Sequence, residues 1–244
     1  MSTPVHAMIR ARMDDIRAKG RLRTIRAVHR ISPRECEIDG RRLLDFSSND
    51  YMGLSMRPEL IDGAVEWSRR YGTGSGASRL ISGTNSAMLK LEEKIAAWKG
   101  FESALILSSG YSANLGCIAA LANKNTTIFA DKLNHASINT GCQLSQAEFR
   151  RYRHSDTAHL RRLIAGSGNE QKLIASDTVF SMDGDIAPLA ELHAIARESN
   201  AFLFLDDAHG TGVTGPEGKG LATPENCDVA LATFSKAIGA VGGC

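Results

Sequence analysis

The chain has 244 residues, 43% of them hydrophobic and 23% charged, and a formal net charge of +2. That is ordinary for a soluble globular protein with room for one large domain or one and a half, and so balanced a charge gives no reason to expect nucleic acid or a membrane surface as partner. No apolar run approaches the ~20 residues of a membrane span.

The amino-terminal stretch from Met1 to Arg26 is basic but carries Asp14 and Asp15, and it lacks the apolar centre of a signal peptide. Within it, residues 3–19 predict an amphipathic helix, with Met8, Ile9, Met13 and Ile16 at helical spacing. A hairpin follows, in which Cys36, Ile38, Leu43 and Leu44 flank the tight-turn pair Asp39-Gly40. It runs into Phe46-Ser47-Ser48-Asn49-Asp50-Tyr51, and a helix is predicted over 58–70. The glycine-rich stretch Gly72 to Arg79 has GxGxG spacing and follows a helical pattern; a dinucleotide fingerprint requires another spacing after a strand. It reads instead as a mobile or tightly turned loop near the substrate. Thr84 to Lys99 predicts a helix with Met88, Leu91, Ile95 and Trp98 on one face and Gly100 as its stop.

From Ser103 onward, strands predicted at 104–108, 127–130, 172–176, 201–205 and 229–233 alternate with helices at 112–122, 136–144, 157–165 and 189–199. Such alternation points to an α/β fold, a mostly parallel sheet with helices on both faces. Residues 1–45 form an N-terminal helix-and-hairpin segment, and 46–244 a large domain. The last residues, Gly242-Gly243-Cys244, read as the entry to a strand, so a truncated domain whose C-terminal partner is missing is expected. Cys36, Cys117, Cys142, Cys227 and Cys244 lie without CxxC spacing. This argues against a zinc site or a disulfide framework and fits a reducing cytoplasm.

The chemistry gathers at strand ends, where open α/β sheets bind ligands. The run Phe202-Leu203-Phe204-Leu205 delivers Asp206, Asp207 and His209; the run ending in Thr233-Phe234 delivers Ser235 and Lys236. A buried carboxylate must be paired, and a lysine after an apolar strand is costly to bury unless it reacts or pairs. An acid on one strand end and a lysine on the next suit pyridoxal phosphate (PLP): the lysine condenses with the aldehyde and the acid keeps the pyridine nitrogen protonated. The alternative readings are a helix-capping Asp206 and a solvated loop lysine. The turn Ser108-Ser109-Gly110-Tyr111-Ser112 opens a helix whose N–H groups could cradle a phosphate, or is an ordinary cap by Ser109 or Ser112. His135 follows a strand and could stack on a flat ring, or merely neighbour a cap. Ser181, in the turn before Asp183-Gly184, could donate to a phenolate oxygen.

With these segments in hand, the sequence resembles the α-oxoamine synthases, a PLP-dependent family of the aspartate-aminotransferase fold type. The resemblance spans nearly the whole chain, through Ser47 to Leu54, Gly72 to Gly83, Ser109 to Asn114, Asn134 to Ser137, Val179 to Asp185, Asp206 to Gly212 and Thr233 to Lys236. The stretches Asp206 to Val213 and Tyr152 to Asp156 are most similar to the branch that joins L-alanine to a pimeloyl thioester, carried by coenzyme A or a carrier protein, in biotin biosynthesis. A sibling enzyme using glycine, or an inert truncated chain, are the alternatives.

The resemblance implies Lys236 as the Schiff-base lysine and α-proton base, Asp206 at the pyridine nitrogen, His135 stacked on the ring, and Ser181 and His209 at the ring oxygen. It implies Gly110, Tyr111 and Thr233 at the phosphate, Asn49 near the substrate, Arg23 at the distal carboxylate of the acyl chain, and a homodimer at full length. Two departures stand out. Asp177-Thr178 occupies a place where relatives commonly have an acid before a small residue, and Ser86-Ala87 one where several have a histidine; both are expected to affect loop packing or substrate preference and not the lysine chemistry.

Overall fold

In the computed structural model, which describes residues 3–244, the chain divides into one unit ending at Phe46 and a second spanning Ser47–Cys244. The first unit opens with helix α1, Pro4–Ala18, whose cap Thr3 accepts a hydrogen bond from the His6 N–H and whose first turn carries the proline. The apolar positions of α1 keep their helical spacing but are exposed. Three short antiparallel strands follow: β1 (His29–Ser32), β2 (Glu35–Ile38) and β3 (Arg41–Leu44). Asp39 (φ 51°) and Gly40 (φ 73°) turn the β2–β3 hairpin, with both φ values positive as a type I′ turn requires. The predicted hairpin thus gains a third strand, β1, whose four residues are too few and too polar to signal in the sequence.

The second unit begins with α2 (Pro58–Tyr71) and α3 (Ser86–Lys99). Asn85 caps α3 through the Met88 N–H, and Gly100, at φ 84°, ends it. The buried face of α3 differs from the predicted one: Glu92, Ile95, Ala96 and Lys99 are buried, whereas Leu91 is exposed. The reason is pairing. Glu92 receives two guanidinium hydrogen bonds from Arg79, and Lys99 meets Asp207, so two charged side chains face inward where periodicity alone expects apolar ones.

Helix α4 (Gly110–Leu121) leads into the main sheet: β4 (Thr126–Asp131), α5 (Ala136–Leu144), β5 (Glu148–Tyr152), α6 (Thr157–Ala165), β6 (Gln171–Asp177), α7 (Leu189–Glu198), β7 (Phe202–Asp206) and β8 (Val229–Leu231). All pairings are parallel, in the order β5-β4-β6-β7-β8. Alternate residues of each strand feed opposite layers. Phe129, Ile174, Leu203 and Leu205 pack with Leu160 of α6 and Leu192 and Ile195 of α7. Ile128, Ala130, Leu173, Ala175 and Phe204 pack with Ile118 of α4 and Ile138 of α5. A sheet covered on both faces explains the unbroken apolar runs of its central strands.

Two strand assignments change. Residues 104–108 form only an isolated antiparallel bridge, Leu107 to Gly243, because no longer partner segment runs alongside. Strand β5, absent from the sequence reading, is Glu-Phe-Arg-Arg-Tyr, an edge strand whose charges mask its period. Among the described residues, no helix is long and apolar enough to cross a membrane.

Candidate active site

The carboxyl ends of β4, β6 and β7 each finish on an aspartate, Asp131, Asp177 and Asp206, and the β6–β7 register sets Asp177 directly beside Asp206. A cavity of about 220 Å³ opens over these ends, and Gly110, Tyr111, His135, Asp177, Asp206, His209, Thr233 and Lys236 all line it.

One end of the cavity is built for an anion. Ser109 Oγ caps α4 by accepting the Ser112 N–H at 3.0 Å, which leaves the first-turn N–H groups of Gly110 and Tyr111 that no helix can satisfy internally. A Cβ on Gly110 would lie 3.1 Å from Cβ and 3.2 Å from Oγ1 of Thr233, so glycine lets the helix start and the β8 exit approach closely. Ser235 adds a second hydroxyl, 2.9 Å from Thr233 Oγ1. Hydroxyls and helix-start amides, with the positive end of the helix dipole behind them, suit a phosphate.

The floor is acidic. Asp206 is buried; it accepts from Asn114 Nδ2 at 2.6 Å and the Ala208 N–H at 3.0 Å. Burial raises its pKa against the pull of these hydrogen bonds and of Lys236. Asp177 accepts the His135 N–H through Oδ2 at 3.2 Å, while its buried Oδ1 has no hydrogen-bond partner. Burial, followed by the Asp206 charge, pushes the Asp177 carboxyl up to about 8. Lys236 is half-buried, and burial lowers its pKa despite the two carboxylates. Its ammonium makes no hydrogen bond within the described residues.

The walls carry imidazoles. His135 caps α5: its Nδ1 accepts the Ser137 N–H at 3.3 Å and meets Ser137 Oγ at 2.6 Å. The Tyr111 ring stands edge-on to it, with centroids 6.2 Å apart. His209 is half-buried, and burial, then the charges of Lys236 and His135, pushes its pKa down to about 4, which keeps the ring neutral at physiological pH. Its Nδ1 lies 2.7 Å from the Tyr51 hydroxyl.

Behind the floor, on the opposite face of β7, Asp207 is held by a buried network. It accepts from Lys99 Nζ (3.1 Å), Thr178 Oγ1 (2.6 Å), Thr211 Oγ1 (3.0 Å) and the Leu221 N–H (3.2 Å).

Seven expected site residues therefore converge: Gly110, Tyr111, His135, Asp206, His209, Thr233 and Lys236. Ser181 does not line the cavity; it sits exposed in the turn that Gly184 closes by donating its N–H to the Phe180 carbonyl. Asn49 is two hydrogen bonds removed from the cavity: its Oδ1 lies 3.3 Å from the Tyr51 hydroxyl, which meets the lining residue His209. Arg23 lies exposed in the unit that ends at Phe46.

The expectation that Asp177 stands apart from the lysine chemistry is corrected, since it lines the cavity, the Asp206 charge helps to raise its pKa, and it acts in turn on Lys236. Asn114, Ser137 and Tyr51 also went unassigned. Asn114 sits inside α4 and reaches Asp206 from there, and nothing local in the sequence marks such a contact.

The donor set fits PLP on chemical grounds. A hydroxyl-lined helix start suits the phosphate, and a buried carboxylate with few donors suits a protonated pyridine nitrogen. An imidazole wall suits a flat ring, and an unbonded amine of lowered pKa suits an aldehyde.

Residues 41–244 match the family described as aminotransferase class I and II. The chain is 46% identical over 235 residues to an 8-amino-7-oxononanoate synthase of Citrifermentans bemidjiense, covering 94% of this chain and 60% of that protein. It is 48% identical over 212 residues to one from Chromobacterium violaceum, covering 85% and 55%. The chain thus spans about 60% of the length of the curated relatives it matches. Among solved structures, a serine palmitoyltransferase of S. paucimobilis with PLP and myriocin bound superposes with TM-score 0.87 at 33% identity, covering 97% of this chain and 61% of that one. An 8-amino-7-oxononanoate synthase of Francisella tularensis superposes with TM-score 0.69 at 33% identity, covering 82% and 56%. The resemblance to α-oxoamine synthases read from the motifs holds in both comparisons.

Proposed function

The chain belongs to the aminotransferase class I and II family, and from that premise we propose that it carries the PLP site of an α-oxoamine synthase joining L-alanine to a pimeloyl thioester. Carbon dioxide and the thiol leave, and the product is 8-amino-7-oxononanoate, in cytoplasmic biotin biosynthesis. The observation that carries this reading is the convergence of Asp206 and Lys236 on one cavity beside the start of α4.

Lys236 is the residue that would hold the cofactor through its aldehyde and the base that would take the α-proton of alanine; its lowered pKa favours the unprotonated amine that both tasks need. Asp206 holds a proton on the pyridine nitrogen, and Asn114 and the Ala208 N–H keep the carboxylate aimed. Gly110, Tyr111 and Thr233 hold the phosphate, and His135 covers one ring face. His209 would donate to the ring oxygen, and Ser181, which lies outside the cavity lining, is the second candidate donor. Asn49 contacts the substrate, and Arg23 receives the distal carboxylate of the acyl chain, from coenzyme A or a carrier protein. Bound PLP supplies the electron sink for the negative charge that develops at the alanine α-carbon. The full-length protein acts as a homodimer.

The test is direct. The chain is incubated with PLP, reduced with borohydride and mapped by mass spectrometry, and the full-length enzyme is given alanine, glycine and serine with pimeloyl-coenzyme A. A single label on Lys236 and product from alanine are expected. Absence of that label sinks the PLP reading; product from glycine but not alanine moves the chain to a sibling branch.

A further inference from the structure

Strand β4 parts from β6 before β6 reaches the cavity. Their last paired residues are Ala130 and Ala175. Beyond Asp131 the main chain of β4 swings toward β5, where the Lys132 N–H donates to the Tyr152 carbonyl. A strand residue opposite Ser176 would have donated its N–H to the Ala175 carbonyl and accepted the Asp177 N–H, as each rung of a parallel ladder does. Ala175 and Asp177 are both buried, and a buried peptide group left without a partner is costly.

Asn134 takes that place with its side chain. Its Nδ2 donates to the Ala175 carbonyl at 2.8 Å, and its Oδ1 accepts the Asp177 N–H at 3.1 Å. These two partners fix which way the amide points, since a carbonyl only accepts and a peptide N–H only donates. Asn134 is itself buried, and its own carbonyl accepts from Asn139 Nδ2 of α5 at 3.3 Å. The next residue is His135, whose N–H donates to Asp177 Oδ2 at 3.2 Å. Three contacts from two consecutive residues therefore tie the imidazole wall of the cavity to the end of β6.

We propose, on the PLP reading of the cavity given above, that Asn134 is a positioning residue for His135. Its amide serves as a substitute rung of the β4–β6 ladder and fixes the gap between the imidazole and the carboxyl groups of Asp177 and Asp206. A flat ring must fill that gap. Asp177 and Asp206 stand side by side in the β6–β7 register, so anchoring the first places the second relative to the wall as well. Without the amide, the segment from Asp131 to His135 keeps its turn, in which the Asn134 N–H donates to the Asp131 carbonyl, but loses its hold on β6.

The experiment follows amide hydrogen exchange by NMR in the PLP-free chain and in Asn134→Ala. Asp177 loses its acceptor directly; the deciding amide is that of His135, whose acceptor, the Asp177 carboxyl, the substitution leaves in place. Protection at His135 should fall about fivefold or more, one hydrogen bond's worth, together with that of Asp177, while the amides of β7 keep theirs. Unchanged exchange at His135 overturns the proposal, and so does an equal loss throughout the sheet, which is what a merely structural role gives. Asn134→Ser, which retains one hydroxyl, is the second variant should alanine prevent folding, and it should give the same paired fall on a smaller scale. A second arm measures PLP affinity by fluorescence titration. Asn134→Ala should weaken binding about fivefold or more, shrinking to less than about twofold in a His135→Ala background, since coupled groups are not additive. Equal losses in both backgrounds overturn the routing through His135. An unaltered chain that takes up no PLP sinks the reading of the cavity, whereas the exchange arm still decides whether Asn134 anchors His135. Circular dichroism of each variant checks that the fold is retained.

Discussion

Two lysine–aspartate sets lie back to back at the end of β7. Lys99 and Asp207 are buried on the α6–α7 side, with side-chain exposures of 4% and 0%. Every ammonium proton of Lys99 has an acceptor, in Asp207, Thr211 Oγ1 and the Lys219 carbonyl, and the carboxylate has four donors. Lys236 and Asp206 face the cavity with far fewer partners: two donors on the carboxylate and no hydrogen bond on the amine within the described residues. The residue types are the same. One set is chemically finished and acts as a structural pin; the other is left incomplete, and an incomplete buried set is what a ligand can complete.

The largest expected effect sharpens this contrast on the cavity side. Lys236→Ala should abolish borohydride labelling at that position and lower full-length turnover by ~10³-fold or more, given what a positioned base contributes, read by mass spectrometry and product assay, while the urea unfolding midpoint stays close to normal. On the opposite side the order reverses. Lys99→Met leaves Asp207 buried and unpaired, so unfolding free energy should drop by ~3–5 kcal/mol, and Lys99→Met/Asp207→Leu should recover part of it; equal stability of Lys99→Met and the unaltered chain breaks the comparison.

Asp177 offers a pH test. Its folded pKa is raised from near 4 to about 8, so the folded state binds its proton more tightly than the unfolded chain does. Its contribution to stability is complete below pH ~4 and is lost as pH rises toward 8. Urea titrations across that window should show stability falling with pH and a flatter curve for Asp177→Asn.

The smallest effect belongs to His154. Burial opposes its protonation, but hydrogen bonds to Asp131 (3.0 Å) and Asp185 (2.9 Å) outweigh it and raise the pKa. Its stabilisation is therefore full below pH ~6.5 and disappears above the raised folded value. His154→Gln should cost about 1 kcal/mol at pH 6, since the imidazole is only partly screened by solvent, and close to nothing at pH 9; a loss that persists undiminished at pH 9 would contradict the assignment.

Much of the fold was legible because burial on both sheet faces writes itself as apolar runs, and helices α4 to α7 fell within two residues of their expected ends. What stayed illegible was polarity in unusual places. The charged edge strand β5 hid its period, and α3 turned Glu92 and Lys99 inward because their partners lie elsewhere in the chain. In the site, the residues at strand and helix ends were found because a polar residue after an apolar run is a visible signal. Asp177 gives that same signal, after Leu173-Ile174-Ala175-Ser176. Asn114 and Tyr51 act across the tertiary structure, and no local pattern points to either.

The two acids that close β7 are neighbours in the chain, and only the pleat separates their fates. Removing a single residue between Leu203 and Leu205 would turn the strand end over, aiming the pinned acid at the cavity and the reactive one at Lys99. Length in this five-residue strand is thus under tighter constraint than composition: one inserted or deleted codon would cost the protein both its anchor and its cavity acid at a stroke.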